Sequence, residues 1–307
     1  MLYAMIDIGS NTIRLAVYQI EGETTELLMK KKHTVGLASY IKDGAMQQAG
    51  IDKAVEILTE YQSFLAAMQI KRVAAFTTAA LRNAVNGKVA VREIEERTGL
   101  IIEIISGDEE AEYDFLGATH GLESDNGLLV DVGGASTELV YFQGGVIKQK
   151  ASLAMGSLGY RTLYVKGLMP STAECAVMRR EAETAVREAT DFAGLKSPEL
   201  CGIGGTFKGI LSLYNAVYDL APENRVMETA RFGELLRRFA VDGIVPPDNA
   251  ILLMKNLPDR IHTFLPGLVI ADTVAKFFQS SAVTYSNSGM REGYIYRHVL
   301  TGKEALA

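Results

Sequence analysis

The chain opens on an apolar run, Tyr3-Ala-Met-Ile6, which is broken at Asp7-Ile-Gly9-Ser10 and resumes from Ile13 to Ile20 before Gly22. Short apolar runs punctuated by glycine predict consecutive β-hairpins. Over residues 51–68 the period changes. Ile51, Val55, Leu58, Leu65 and Met68 fall near helical spacing, and Asp52, Lys53, Glu56 and Glu60 lie largely elsewhere on the wheel, which predicts an amphipathic helix. A buried-strand pattern from Arg72 to Thr78, a helix over 88–98 closed by Gly99, a strand from Leu100 to Ile105 and a helix over 109–117 follow. Strands that alternate with helices predict an α/β sheet.

After the polar turn Glu123-Ser-Asp-Asn-Gly127 the pattern restarts. Leu128-Leu-Val-Asp131-Val-Gly133-Gly134 reads as a strand entering a glycine turn, and Thr137 to Phe142 as the returning strand, closed by Gln143-Gly-Gly145. Met5-Ile-Asp7-Ile-Gly9-Ser10 and Val130-Asp131-Val-Gly133-Gly134 form an internal repeat and predict two related halves, with the boundary between residues 117 and 127. Helical patterns over 172–193, 231–241 and 248–256 dominate the second half, which carries a third glycine turn at Gly202-Ile-Gly204-Gly205-Thr206.

Composition narrows the function classes. With 48% hydrophobic and 22% charged residues the chain is a folded globular protein, and 307 residues are enough for two domains. Twenty-nine glycines against seven prolines show glycine used for particular turns. The longest uncharged stretch, Phe277 to Met290, is too short to span a bilayer, so no membrane partner is expected. The N-terminal run contains Asp7 and has no basic segment before it, which does not fit a secretory signal; the expected location is cytoplasmic. A net charge of −6 gives no basis for general nucleic-acid binding. Cys175 and Cys201 lack metal or redox spacing and read as buried free thiols.

Glycine turns at strand ends let backbone N–H groups approach phosphate oxygens without a Cβ clash. One such turn alone is read as a tight hairpin; three, two of them with an aspartate at the strand end, point to phosphate. Asp7 and Asp131 lie inside apolar runs and need a partner. Mg2+ suits them, because it takes hard oxygen ligands and keeps waters for substrate phosphates. Glu138, on the returning strand, is equally an ordinary strand glutamate or a third carboxylate of the same cavity. Ser106-Gly-Asp-Glu109 has capping-box spacing, so Glu109 is read as a cap. Arg14, Arg82 and Arg291 follow small or polar turns and suit bidentate phosphate contact, although each alone also reads as a surface arginine. Lys30-Lys-Lys-His33 reads as a solvated strand edge, Arg179-Arg180 and Arg237-Arg238 as helix surface, and His33, His120, His262 and His298 show no metal or triad spacing.

Six motifs in order resemble the exopolyphosphatase and guanosine pentaphosphate phosphohydrolase family, within the acetate and sugar kinase, Hsp70 and actin superfamily. They are Asp7-Ile-Gly-Ser-Asn-Thr-Ile-Arg14, Thr77-Thr-Ala-Ala-Leu-Arg82-Asn83, Ile105-Ser-Gly-Asp-Glu-Glu-Ala111, Asp131-Val-Gly-Gly-Ala-Ser-Thr-Glu138, Gly202-Ile-Gly-Gly-Thr206 and Gly289-Met-Arg-Glu-Gly293. Ala135, Ile203 and Thr12 depart from the usual pattern. The resemblance implies an α/β fold of two actin-like, ribonuclease H-like domains with an interdomain active-site cleft: residues 1–120, residues 121–290, and a C-terminal segment 291–307 whose helix packs back on the first domain. It implies an exopolyphosphatase that releases the terminal phosphate of inorganic polyphosphate to a water activated by Glu110, with Glu138 as a second catalytic carboxylate and Asp7, Asp131 and Glu138 as Mg2+ ligands. Asn11, Arg14, Arg82, Gly133, Gly134, Ser136, Gly204, Gly205 and Thr206 would bind phosphate.

No motif decides between polyphosphate and guanosine pentaphosphate as substrate. A small-molecule kinase of the same superfamily would share the glycine turns but not the Glu110 motif, and a sensor that binds polyphosphate or guanosine tetraphosphate would bind without turnover. The chain stops where the two domains would end, so the added helical domains of longer members are expected to be absent. Shorter polyphosphate chains or weaker processivity are then expected unless a homodimer, the expected assembly, rebuilds the channel.

Overall fold

The computed structural model of the protein describes residues 1–119 and 125–301; His120, the start of the polar turn at Glu123-Ser124 and the last residues of the 291–307 segment lie outside them. The described chain falls into two compact units, Met1–Glu110 together with the segment from Ile295 onward, and Ala111–Tyr294. The units therefore part after Glu110, within a helix, whereas the sequence pattern puts the boundary at the polar stretch 117–127.

The first unit is built on strands β1 (Leu2–Ile8), β2 (Thr12–Glu21) and β3 (Thr24–Thr34), the two-residue ladder of β4 (Ile41–Lys42) and β5 (Ala45–Met46), and strands β6 (Val73–Thr77) and β7 (Ile102–Ile104). Its main sheet runs β3-β2-β1-β6-β7, with β1, β2 and β3 antiparallel and β1, β6 and β7 parallel. Apart from Leu2, β1 is buried throughout, as expected of an interior strand covered on both faces. β3 is the edge and carries Lys30, Lys31, Lys32 and His33; charged residues there block pairing with other strands. Lys31 and His33 both reach Glu60, so the run is the solvated strand edge read from the sequence.

Helix α1 (Gln48–Ala67) buries Ile51, Ala54, Ile57, Leu58, Tyr61 and Leu65 along one face, the spacing that its sequence displays. The short α2 (Ala79–Arg82) leads into α3 (Gly87–Thr98), which ends on Gly99 in the left-handed region with its N–H donating to Glu95 O, the stop expected there. Helix α4 (Gly107–Thr119) starts with a capping box: Glu109 Oε2 accepts from the Ser106 N–H at 2.9 Å and the Ser106 hydroxyl at 2.6 Å, and the Glu109 N–H donates to Ser106 Oγ at 3.2 Å.

The second unit repeats the plan. Strands β8 (Gly127–Val132), β9 (Thr137–Gln143), β10 (Val146–Leu153), β11 (Glu199–Ile203), β12 (Val226–Glu228) and β13 (Ala282–Tyr285) form the sheet β10-β9-β8-β11-β13-β12. Here β8, β9 and β10 are antiparallel and β8, β11 and β13 parallel, as in the first unit, with β12 added antiparallel at the edge. This shared strand order and direction is the actin-like, ribonuclease H-like α/β fold.

The helices of the second unit are α5 (Ser157–Tyr164), α6 (Thr172–Glu188), α7 (Gly204–Val217), α8 (Phe232–Phe239), α9 (Pro247–Asn256) and α10 (Ile261–Phe277); α11 (Met290–Ile295) ends the unit, and the π-helical turn Tyr296–Leu300 that follows it is grouped with the first. Helices α5, α7 and α10 are not foreseen from the sequence. α10 is buried continuously from Thr263 to Ala275, so it has no polar face to betray its period. Its Asp272 is buried and accepts from Arg179 of α6 at 2.6 Å and from Lys276 at 2.8 Å, which corrects the reading of Arg179 as plain helix surface. Burial pushes the free thiols of Cys175 and Cys201 up to about 11 and about 12, where they are inert. No helix among the described residues is long and apolar enough to cross a membrane.

The Gly289-Met-Arg-Glu-Gly293 motif serves packing. A Cβ on Gly117 of α4 would overlap the Gly289 backbone, and one on Gly293 would overlap the Tyr113 carbonyl, so α4 and α11 approach through glycine. Gly117→Ala is expected to destabilise the protein by about 1–3 kcal/mol through overpacking against rigid backbone, read as a lower urea midpoint.

Candidate active site

In the first unit the loop between β1 and β2 is tight: the Gly9 N–H donates to Thr12 O at 3.0 Å. This turn brings Asp7 and Arg14 into register on paired strands, and Arg14 Nη1 lies 3.3 Å from Asp7 Oδ2. Asp7 therefore has a cationic partner of its own. Asn11 is buried beside them, and its Oδ1 has no hydrogen-bond partner among the described residues. At the C-terminal end of β6, Thr77 and Thr78 lead into α2, whose last residue is Arg82. Arg82 Nη1 donates to Glu110 Oε2 at 2.6 Å and to Ile105 O at 3.1 Å, with the two side chains only 14% and 13% exposed. The expected phosphate arginine and the expected water-activating glutamate are thus in direct contact, and the arginine is anchored to backbone.

The second unit has the same turn. The Gly133 N–H donates to Ser136 O at 2.9 Å, as Gly9 does to Thr12, and Asp131 and Glu138 are register partners on β8 and β9. Glu138 is 1% exposed and accepts from the Ser152 hydroxyl at 2.8 Å. The Gly133 carbonyl takes the N–H and hydroxyl of Ser157, so this glycine fixes the turn and its amide is not aimed at a ligand. The phosphate-facing amide expected there narrows to Gly134, next to buried Ser136. The hydroxyl of Thr206 is likewise engaged, donating to Val132 O at 2.6 Å and tying the third glycine turn to β8.

Gly204 and Gly205 open α7, and both are glycine for the sake of a neighbouring charge. Gly204 has φ +77°, and a Cβ there would overlap the Asp131 carboxylate. A Cβ on Gly205 would overlap the guanidinium of Arg260. Arg260 is the functional candidate that the sequence does not reveal: it lies in the connection between α9 and α10, in no motif, and reaches the third turn only through packing. Burial, reinforced by the charges of Arg161 and Arg260, holds His262 below its ordinary value.

Among the described residues no group of three His, Cys, Asp or Glu side chains is placed to hold a metal ion. Two carboxylates opposite one another on antiparallel strands nevertheless form a hard-oxygen pair whose mutual repulsion a divalent cation relieves, and Gly204 leaves room beside one of them. The Asp131–Glu138 pair fits such an ion. Asp7, engaged by Arg14, is not held in that pairing.

The family model described as Ppx/GppA phosphatase family matches residues 16–302. The chain belongs to this family. A Haemophilus influenzae member, named as a candidate exopolyphosphatase, is 26% identical over 95% of this chain and 90% of its own length. A guanosine-5'-triphosphate,3'-diphosphate pyrophosphatase of Photobacterium profundum is 25% identical over 96% of this chain, which spans 59% of that relative's length. Among solved structures, a Cytophaga hutchinsonii exopolyphosphatase superposes with TM-score 0.84 at 22% identity, covering 98% of each chain, and the Aquifex aeolicus Ppx/GppA member with TM-score 0.77 at 23% identity, covering 100% of this chain and 99% of that one. These two establish the fold of this Ppx/GppA chain.

Gly205→Ala is expected to displace the mobile end of Arg260 while leaving the backbone unstrained. Calorimetric titration with tripolyphosphate should show binding weakened severalfold, with a thermal midpoint close to that of the parent. Unaltered binding would detach Arg260 from the site.

Proposed function

We propose that the chain is a phosphoric anhydride hydrolase that removes the terminal phosphate of inorganic polyphosphate, with guanosine pentaphosphate as the second substrate to be tested. The observation that carries this reading is the Arg82–Glu110 contact, an acid held by an anchored arginine in a chain of the Ppx/GppA phosphatase family. The names of the Haemophilus and Photobacterium relatives support the two substrates about equally.

In this reading Glu110 orients the attacking water and accepts its proton. Arg82 fixes the rotamer of that carboxylate and presents charge to the oxygens of the terminal phosphate, so that one guanidinium couples substrate arrival to the base. Within the first unit Asn11 and Arg14 would bind phosphate oxygens; within the second, the Gly134 amide, Ser136, the Gly205 turn and Arg260 would do so. Gly133, Gly204 and Thr206 act indirectly, by shaping the turns. Asp131 and Glu138 would hold a divalent cation, which we take to be Mg2+. When bound, it neutralises charge building up on the transferred phosphoryl group. Positioning and charge stabilisation suffice for this chemistry, and no covalent nucleophile is needed.

Glu110→Gln should lower turnover about 10²- to 10⁴-fold with substrate binding largely kept. Phosphate release from long polyphosphate, short polyphosphate and guanosine pentaphosphate, compared at equal terminal-phosphate concentration with Mg2+, measures it. Parent-like turnover in the variant would remove Glu110 from the mechanism. Arg82→Ala should weaken binding and flatten its salt dependence; binding curves that match the parent at low and high salt would contradict the assignment.

A further inference from the structure

Residues opposite one another on antiparallel strands project from the same face of a sheet, so each repeat carries a cross-strand row that starts at its aspartate. In the first unit Asp7 of β1 stands opposite Arg14 of β2, and Arg14 opposite Lys32 of β3. In the second, Asp131 of β8 stands opposite Glu138 of β9, and Glu138 opposite Ser152 of β10. The first row therefore runs acid, cation, cation; the second runs acid, acid, hydroxyl.

Ser152 thus holds the place in its row that Lys32 holds in the other. Its hydroxyl donates to Glu138 Oε1 at 2.8 Å, and Glu138 is only 1% exposed, so a buried carboxylate is held by a donor that brings no charge. A lysine at this position would set an ammonium beside Glu138 and supply from the protein the positive charge that a divalent ion brings. An alanine would take away the donor and let the carboxylate turn. The lysine that does share this face of β10, Lys150, lies two residues earlier and pairs with Glu112 of α4 at 2.6 Å.

We propose that Ser152 is a positioning residue for divalent-cation binding: it fixes the rotation of the Glu138 carboxylate opposite Asp131 while adding no charge to the row, which keeps the acid pair able to take a divalent ion. This rests on the reading of Asp131 and Glu138 as the cation-holding pair. Ser152 acts through Glu138, as hydrogen-bond partners of metal-binding carboxylates do elsewhere, where their loss typically costs 10- to 100-fold in metal affinity. The contrast between the two rows then has a chemical meaning: the residue on the third strand decides whether the protein or a bound ion supplies the positive charge.

The test is titration of the full chain with Mn2+, the free ion being followed by electron paramagnetic resonance, for the parent and for Ser152→Ala, Ser152→Thr, Ser152→Lys and Glu138→Gln, with thermal midpoints measured alongside. Ser152→Ala should bind about 10- to 100-fold more weakly than the parent. Ser152→Thr, which keeps the hydroxyl, should bind as the parent does, and Ser152→Lys should lose the site while its midpoint stays at or above the parent's. Parent affinity in Ser152→Ala or in Ser152→Lys would overturn the proposal, and so would a loss in Ser152→Thr equal to that in Ser152→Ala. If the parent binds no Mn2+, or Glu138→Gln binds it equally well, the cation reading of the acid pair falls and takes the proposal with it. Loss of binding in Glu138→Gln with none in Ser152→Ala strikes the proposal alone.

Discussion

A carboxylate at the mouth of a buried central strand is costly unless something answers its charge, and this constraint acts twice in the molecule. Asp7 and Asp131 hold the same place in the two repeats, each followed by a turn closed through a glycine N–H and each in register with the residue seven positions on. In the first unit that residue is Arg14, so the pair closes on itself; in the second it is Glu138, so the acidity doubles. The repeated hairpin thus pairs its aspartate with an arginine in one copy and with a glutamate in the other. The proposed division of roles follows from that asymmetry: the first pair is an acid with its own cation, the second a pair of acids.

The glycines around these turns act mainly by leaving room. Gly204 gives the Asp131 carboxylate its place, Gly205 admits the Arg260 guanidinium, and Gly133 closes its turn with an N–H that serves the turn itself. The charged tips of Asp131 and Arg260 thus occupy the volume that a Cβ at Gly204 or Gly205 would fill. That arrangement suits phosphoryl transfer, where charge must be met from several directions in fixed positions.

What the sequence discloses and what it hides follow one physical division. The repeated hairpins, the Glu109 cap, α1 and the end of α3 at Gly99 are legible because they are written in neighbouring residues: a lone acid in an apolar run, a serine three before a glutamate, a helical period, a glycine stop. The contact of Arg82 with Glu110, 28 residues apart, is legible only in part, since the motifs mark both residues but not their meeting. Arg260 beside Gly205 and Arg179 on Asp272, the latter 93 residues apart, depend on how helices pack and leave no local trace. Helix α10 hides for the opposite reason, being so thoroughly buried that its periodicity vanishes.

The placement of α10 also bears on how the chain is made. The core of the second unit is assembled around Phe264, Leu265, Leu268, Val269, Ile270 and Val274, so strands β8 to β11 emerge from the ribosome well before the helix that completes their cover. The sheet of the second unit lacks that cover until α10 has been added, some 150 residues after the start of β8, on the order of ten to thirty seconds of synthesis. Partly made chains of this topology are therefore at their most aggregation-prone before α10 is added, whatever the stability of the finished protein.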